Sequence, residues 1–340
     1  MIDSHAHVFF DELLGKAGPY GPAVREFAPG QFEVVTGGYS FAIGANDSFA
    51  PVMESRVAAI EPAGITTQVL SLSPLWLFHE APAAVAVPFL REANDLTAEM
   101  VGKAPGLLRA FAALPAQDIS VAIDELHRNV KRGFVGGYIG SNARVNLDDP
   151  ELDDLYAAHE QLDVPLLIHS IVPGVDGPPG DSRLNRWLGN VTIGYPIEET
   201  LTVTSLILGG VLDRHPKLDV LIPHGGGAFP AIAGRIFDSL RLPGAPISAE
   251  QAREGLSRLW FDTHVHSPHT LDLLLEVANV DHLVYGSNFG GWDSSSTSEV
   301  ANMAELLDAN ARRLFRMTPY KPARHLKRIP STISDTTEWQ

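Results

Sequence analysis

The sequence predicts an α/β protein with a (β/α)8 TIM-barrel fold and an insertion after strand one. Two observations lead to this fold class. Short apolar segments alternate with longer amphipathic segments along most of the 340 residues, and this alternation is typical of parallel sheets. The apolar segments also match in number the strands of a closed barrel. They cover residues 2–9, 67–71, 107–114, 134–140, 165–169, 218–223, 259–263 and 282–286. A doubly wound open sheet is the alternative architecture.

The amphipathic segments predict helices, because apolar residues recur in them at helical spacing. They cover residues 52–63, 88–103, 120–131, 150–162, 197–213, 229–240, 268–278 and 297–314. Residues 1–317 therefore form the predicted barrel. Within it, residues 10–50 are rich in Gly, Pro and Phe, which predicts an insertion over the barrel mouth that could act as a lid. Residues 318–340 are predicted to be a polar C-terminal tail.

Composition excludes several classes of partner. The chain carries 41 acidic and 25 basic residues, a formal net charge of −16, which disfavours nucleic acid and anionic membranes. No apolar run approaches the roughly 18 to 20 residues that cross a bilayer, and no apolar signal segment opens the sequence. A cytoplasmic location is therefore expected. Cysteine is absent, so any metal must be bound by His, Asp, Glu or neutral oxygen ligands.

Histidines occur where the predicted strands end. His5 and His7 lie two apart on strand one, so both side chains are on one face of it. His169 ends strand five, and His224 follows strand six. Because residues at the carboxyl ends of barrel strands face the active site, these imidazoles can converge on one metal ion. Taken alone, the His5/His7 pair could arise by chance, His169 could be a hydrogen-bonded core histidine, and the glycines after His224 could form a simple turn. Because all of these features occur together, we predict a metal site.

The last two strands add further polar residues at the same end of the barrel. Asp262, His264 and His266 lie at and just after strand seven, and Asn288 ends strand eight. His264 and His266 could add a second metal, which leaves a binuclear, oxygen-activating site open as an alternative.

Several segments resemble the amidohydrolase superfamily. The His5-Ala6-His7 motif resembles its strand-one signature. Residues 195–200 (YPIEET), 208–218 (LGGVLDRHPKL) and 224–230 (HGGGAFP) resemble more closely the amidohydrolase-2 branch with aminocarboxymuconate-semialdehyde decarboxylase and γ-resorcylate decarboxylase. This branch also includes oxalomesaconate hydratase and a meta-cleavage-product hydrolase. The resemblance runs from strand one to about residue 315 and is weakest in residues 10–50.

The resemblance implies roles for individual residues. His5, His7 and His169 match the histidine ligands of one divalent metal, zinc foremost, with manganese, iron or cobalt as alternatives. His224 matches the histidine that moves a proton on substrate or metal-bound water. His266 matches a histidine of the strand-seven motif. A homodimer or homotetramer is expected from the resemblance alone.

Asn288 departs from the family pattern. The family has an aspartate or glutamate metal ligand at this position, and an amide offers an oxygen but neither charge nor basicity. Asn288 is therefore assigned as a catalytic and metal-binding position with three interpretations left open. The chain is an engineered Asp-to-Asn variant, or a natural subfamily in which Asp293, Asp262 or Glu198 supplies the charge, or a protein with reduced chemistry.

The predicted function is metal-dependent, non-oxidative decarboxylation of a hydroxylated or amino-substituted aromatic or muconate-like carboxylic acid, with His224 and Asn288 as the catalytic positions. Hydrolysis or hydration in the same site is the first alternative. A binuclear-metal oxygenase and a non-catalytic partner subunit are further alternatives. The small-molecule substrate is predicted to contact residues that could clamp a carboxylate or form an aromatic wall: Arg183, Arg186, Trp187, His266, Phe289 and Asp293. Surface pairing or core packing is the competing interpretation for the arginines and tryptophan.

Overall fold

The structure is a computed structural model that describes residues 1–37, 39–43, 53–171, 181–291 and 293–317. The predicted tail at 318–340 lies outside the described residues. Among the described residues, no helix combines the length and the apolarity that crossing a bilayer requires.

Eight parallel strands form the barrel, which confirms the predicted fold class. They follow one another around the sheet in chain order: β1 (Ile2–Val8), β5 (Thr67–Leu72), β6 (Leu108–Ala113), β7 (Gly136–Gly140), β8 (Leu166–His169), β9 (Val220–Ile222), β10 (Trp260–Asp262) and β11 (Leu283–Val284). The last strand returns to the first through backbone hydrogen bonds. The backbone amide of Ser4 donates to the Tyr285 carbonyl at 2.8 Å, and the backbone amide of Asn288 donates to the His5 carbonyl at 2.9 Å.

Helices surround the strands largely as predicted. They are α1 (Met53–Ile60), α2 (Ala83–Lys103), α3 (Ile119–Val130), α4 (Asp153–Leu162), α5 (Tyr195–Leu208), α6 (Val211–Arg214), α7 (Phe229–Ser239), α8 (Ala249–Arg258), α9 (Pro268–Val277) and α10 (Ala304–Leu314). The single helix predicted for 197–213 is wrong, because the chain breaks between α5 and α6. Gly210 there has φ +69°, and a Cβ on Gly209 would lie 2.2 Å from Asp148 Cβ.

The insertion after β1 contains structure that the sequence analysis left unassigned. Strands β2 (Ala23–Ala28), β3 (Gln31–Thr36) and β4 (Tyr39–Ile43) form a separate antiparallel sheet. The Thr36 hydroxyl donates to the Leu75 carbonyl at 2.8 Å. Leu75 belongs to the short 3-10 turn that follows the carboxyl end of β5, so the sheet is tied to the end of the barrel where the strands finish.

Candidate active site

Four histidines meet at the carboxyl ends of the strands, and we call them the buried cluster: His5, His7, His169 and His224. The ring centroids of His5 lie 4.9 Å from His7, 5.2 Å from His169 and 5.0 Å from His224. One ring nitrogen each of His5, His169 and His224 lies within 4.8 Å of the other two. The structure therefore brings together residues up to 219 positions apart in the chain, counted from 5 to 224.

Hydrogen bonds hold the outer ring nitrogen, Nδ1, of His5, His7 and His169. The inner ring nitrogen of each is Nε2. His5 Nδ1 lies 2.7 Å from Asp262 Oδ2, and both side chains are fully buried. His7 Nδ1 lies 3.1 Å from the Ser71 hydroxyl. His169 Nδ1 donates to the Ser170 carbonyl at 2.9 Å. Such bonds orient an imidazole and fix which nitrogen carries the hydrogen.

With the hydrogens on these outer nitrogens, the inner nitrogens carry lone pairs. His5 Nε2 and His7 Nε2 are only 3.1 Å apart, and two lone pairs at this distance repel unless a cation or proton lies between them. His169 Nε2 is buried and has no hydrogen-bond partner among the described residues. Burial, with further repulsion from neighbouring imidazoles, lowers the pKa of His5 well below its usual range and that of His169 to about 4. Neutral, converging imidazoles of this kind fit a divalent metal ion.

His224 differs from the other three because its outer nitrogen contacts a carboxyl group. Its Nδ1 is hydrogen-bonded to Glu199 Oε1, which also accepts from the Ser170 hydroxyl at 2.7 Å. Burial raises the pKa of Glu199 to about 8 and lowers the pKa of His224 to about 4. At neutral pH the Glu199 carboxyl is therefore protonated and donates to Nδ1, so the neutral imidazole carries its hydrogen on Nε2. This arrangement makes His224 a proton donor.

A second group of side chains, the mouth cluster, consists of His264, His266 and Asp293. His264 Nε2 lies 3.1 Å and His266 Nδ1 lies 3.2 Å from the same oxygen, Asp293 Oδ2. The side-chain amide of Asn288 donates to Asp293 Oδ1 at 2.7 Å. Burial opposes ionisation of His264, but the hydrogen bond to Asp293 raises its pKa above the usual value. The side chain of His266 is 54% exposed, whereas that of His264 is 2% exposed.

Backbone strain coincides with these side chains. The backbone φ values are +51° at His224, +60° at His266 and +54° at Asn288. They lie in the left-handed region, which residues other than glycine adopt infrequently. Each follows the carboxyl end of a different strand. Strained residues of this kind concentrate at functional sites because the strain aims a side chain at a ligand.

For four of the predicted substrate-binding residues, the structure describes no side-chain bond to either cluster, although the backbone carbonyl of Phe289 accepts from the backbone amide of His7 at 2.6 Å. The side chain of Arg183 is 88% exposed, and its Nε donates to Asp181 Oδ2 at 2.8 Å. Arg186 lies over the Trp187 ring at 4.1 Å, and Trp187 is 77% exposed. Phe289 packs 4.6 Å from the Arg56 guanidinium. Substrate binding by these four residues stays a prediction.

The sequence analysis missed the partners that hold the histidines. The sequence places Asp262 at the end of strand seven, but no pattern in it predicts the bond to His5. Glu198 was named as a source of charge, whereas the neighbouring Glu199 contacts His224 and Glu198 accepts from the Ser141 hydroxyl at 3.0 Å. Arg56 is fully buried and donates to the His7 carbonyl at 2.6 Å. Of these supporting residues, Ser71 is the one whose place near the carboxyl end of a strand could have indicated a contact with a site histidine.

Comparisons with known proteins point to one family. The profile of the family described as Amidohydrolase matches residues 2–321. The 2-amino-3-carboxymuconate-6-semialdehyde decarboxylase of Dictyostelium discoideum is 31% identical over 240 residues, a match that covers 69% of this chain and 65% of that protein. The chain thus spans slightly less than two thirds of that relative.

Two further known proteins are matched over more of their length, one by sequence and one by its fold. The gamma-resorcylate decarboxylase of Rhizobium sp. (strain MTP-10005) is 27% identical over 300 residues, covering 78% of this chain and 88% of the relative. The crystal structure of a dihydroxybenzoic acid decarboxylase from Polaromonas sp. JS666, with bound manganese and the inhibitor 2-nitroresorcinol, has a TM-score of 0.70 and 22% identity. It covers 93% of this chain and 96% of its own. With its eight-stranded barrel and a family profile matched over nearly its whole described length, the chain belongs to the amidohydrolase family.

Proposed function

We propose that the chain is a metal-dependent lyase that removes the carboxylate of a hydroxylated or amino-substituted aromatic or muconate-like acid as carbon dioxide, without an oxidant. One observation carries the proposal: converging neutral imidazoles lie beside a histidine whose hydrogen is kept in place by a buried, protonated carboxyl group. The relatives named above supply the reaction class, since they are decarboxylases of such acids by name.

The ligands of a divalent cation would be His5, His7 and His169. His5 Nε2 and His7 Nε2 lie 3.1 Å apart, and His169 Nε2 has no hydrogen-bond partner among the described residues. We propose manganese or zinc: zinc is the ion that the resemblance implies first, and manganese is the ion bound in the Polaromonas enzyme. When bound, such an ion supplies a Lewis acid that polarises substrate oxygens. Asn288 is a further candidate ligand through its amide oxygen.

His224 provides the proton for the reaction. Its Nε2–H is transferred to the substrate carbon that bears the carboxylate, and the new C–H bond uses an electron pair of the conjugated system. The C–C bond to the carboxylate then breaks, carbon dioxide leaves, and the bonding pair returns to the conjugated system. As Nε2 gives up its hydrogen, Glu199 transfers its carboxyl proton to Nδ1, so the imidazole stays neutral and Glu199 is left as a carboxylate. One proton taken up from solvent then returns the pair to its starting state, with the hydrogen on Nε2 and Glu199 protonated.

The antiparallel sheet β2–β4 is our candidate for the lid predicted at residues 10–50. Its hydrogen bond from Thr36 to the turn after β5 ties it to the mouth of the barrel. A lid at this position would exclude water from the reacting carbon. A homodimer or homotetramer is a further proposal that rests on the family resemblance. A cytoplasmic location is a separate proposal, made from the sequence alone.

Carbon dioxide release tests this function. The Mn²⁺-loaded and Zn²⁺-loaded protein is incubated with gamma-resorcylate, other hydroxybenzoates and 2-amino-3-carboxymuconate-6-semialdehyde, and the gas and the products are measured. We expect carbon dioxide in equal amount to the decarboxylated product. His269→Ala is the matched control, because His269 is an exposed histidine outside both clusters. A hydrated or hydrolysed product would contradict decarboxylation, as would no turnover in both the native protein and Asn288→Asp.

A further inference from the structure

We propose that the mouth cluster binds a second divalent cation, with His264, His266 and Asp293 as its ligands. One ligand atom of each residue lies within 4.8 Å of the other two. The two imidazole nitrogens approach the same carboxylate oxygen at 3.1 and 3.2 Å. This inference does not depend on the proposed decarboxylation, because it concerns only what these three side chains bind.

The spacing of the three side chains suits an ion. First-row metals lie about 2.0–2.2 Å from nitrogen and oxygen ligands, which puts neighbouring ligand atoms about 3 Å apart around an octahedron. The two nitrogen–oxygen distances have this size. Two imidazoles and one carboxylate, with further positions open to water, form a ligand set that proteins use for ferrous and related ions. The cation would replace the hydrogens now shared between the imidazoles and Asp293.

His264 and His266 contribute complementary properties. His264 is buried, and its Nδ1 has no hydrogen-bond partner among the described residues, so nothing prevents the hydrogen from occupying Nδ1 while Nε2 offers a lone pair. His266 is half exposed and held by a left-handed backbone with its Nδ1 on Asp293. An ion can therefore enter from solvent on the His266 side and be held from the interior by His264.

Asn288 is the positioning residue of this second site. Its amide donates to Asp293 Oδ1 at 2.7 Å and leaves Oδ2 facing the two imidazoles. A carboxylate at position 288 would instead place two anionic oxygens in contact and turn Asp293 away from the histidines. The asparagine that departs from the family pattern is thus suited to orient a neighbouring carboxylate, a task that needs a donor.

The second site is separate from the buried cluster but close to it. The His264 ring centroid lies 5.4 Å from that of His224 and 6.4 Å from that of His5. The two proposed ions share no ligand residue. A second cation at the mouth would place positive charge beside the proton donor, where an anionic substrate must enter.

Metal counting tests the second site. The full-length protein is stripped with a chelator, titrated with Mn²⁺ and followed by calorimetry, with bound metal counted after desalting. We expect two Mn²⁺ per chain for the native protein and for His269→Ala, an exposed histidine three residues away. We expect His266→Ala and Asp293→Asn to lose one equivalent each and to keep the other. Thermal melting followed by circular dichroism confirms that the variants fold.

The outcomes separate this inference from the proposed function. One bound Mn²⁺ in the native protein, unchanged in His266→Ala, would overturn the second site even if carbon dioxide is released. Two bound ions, with one lost in His266→Ala but not in His269→Ala, would support the second site even if no substrate is decarboxylated.

Discussion

The buried cluster and the mouth cluster use the same residue type in different surroundings. The buried cluster lies on or beside strands, and each outer nitrogen has a fixed partner. Three of its histidines are nearly inaccessible, and the side chain of His224 is 16% exposed. The mouth cluster lies on the loops after β10 and β11, one of its histidines is half exposed, and a single carboxylate serves both imidazoles. Strand ends thus preorganise ligands before an ion binds, whereas loops leave a site open to solvent and dependent on one carboxylate.

Removing a ligand of the buried cluster should have the largest effect. In His5→Ala we expect loss of the buried ion and a fall in kcat/KM of about 10³-fold or more, because Lewis-acid stabilisation contributes several kcal/mol. Metal analysis and steady-state kinetics measure both effects. His269→Ala serves as the control and should match the native protein. Full activity in a metal-free His5→Ala would separate the cluster from catalysis.

His224→Gln distinguishes a proton donor from a ligand within the buried cluster. We expect kcat to fall by about 10² to 10⁴-fold while the metal content stays at the native value, since His5, His7 and His169 remain. Kinetics and metal analysis on one preparation give both numbers. If this variant loses the buried ion as His5→Ala does, His224 is a ligand and our assignment of its role is wrong.

Asp262→Asn weakens the buried cluster without touching its ion. The amide removes the charge that orients His5 Nδ1, and loss of such a supporting contact typically lowers metal affinity about 10 to 100-fold. Competition with a chromogenic chelator measures the affinity. Asp272→Asn, an exposed aspartate on α9, is the matched control. An affinity equal to that of the control would show that the Asp262 contact does not support the ion.

The pH dependence of activity tests the contact between Glu199 and His224. The pKa of Glu199 is raised to about 8, so its proton is present below that pH and is lost as the pH rises through it. We expect kcat to fall by about tenfold per pH unit above pH 8. In Glu199→Gln the side-chain amide still donates a hydrogen bond to His224 Nδ1 but cannot transfer its hydrogen, so we expect a lower kcat that no longer declines above pH 8. An unchanged profile in Glu199→Gln would assign the decline to another group.

Much of the barrel was predictable because each of its strands is a buried apolar run between amphipathic segments. Helix α8 was missed because it is largely polar, although Ser248 and Gln251 form a capping box that marks its start. The β2–β4 sheet was missed because β2 is mostly exposed and lacks an apolar run. Hydrophobic periodicity in a sequence indicates which residues are buried, so a helix or strand that buries few side chains is not predicted by it.

The histidines of the site were predictable for a different reason. His5 and His7 alternate on a strand, and His169 ends one, so local spacing places all three at the mouth. The bond between His5 and Asp262 joins positions 257 residues apart and depends on how the barrel closes. Glu199 rather than Glu198 contacts His224 because neighbouring residues of a helix point in different directions. Neither contact leaves a local pattern, which is why the supporting residues appeared only with the structure.

Anomalous X-ray diffraction from crystals of the Mn²⁺-loaded protein tests the central claim most directly. Our account predicts a strong manganese peak in contact with Nε2 of His5, His7 and His169, and a second peak between His264, His266 and Asp293. Absence of any peak among His5, His7 and His169, with manganese bound elsewhere, would contradict the account.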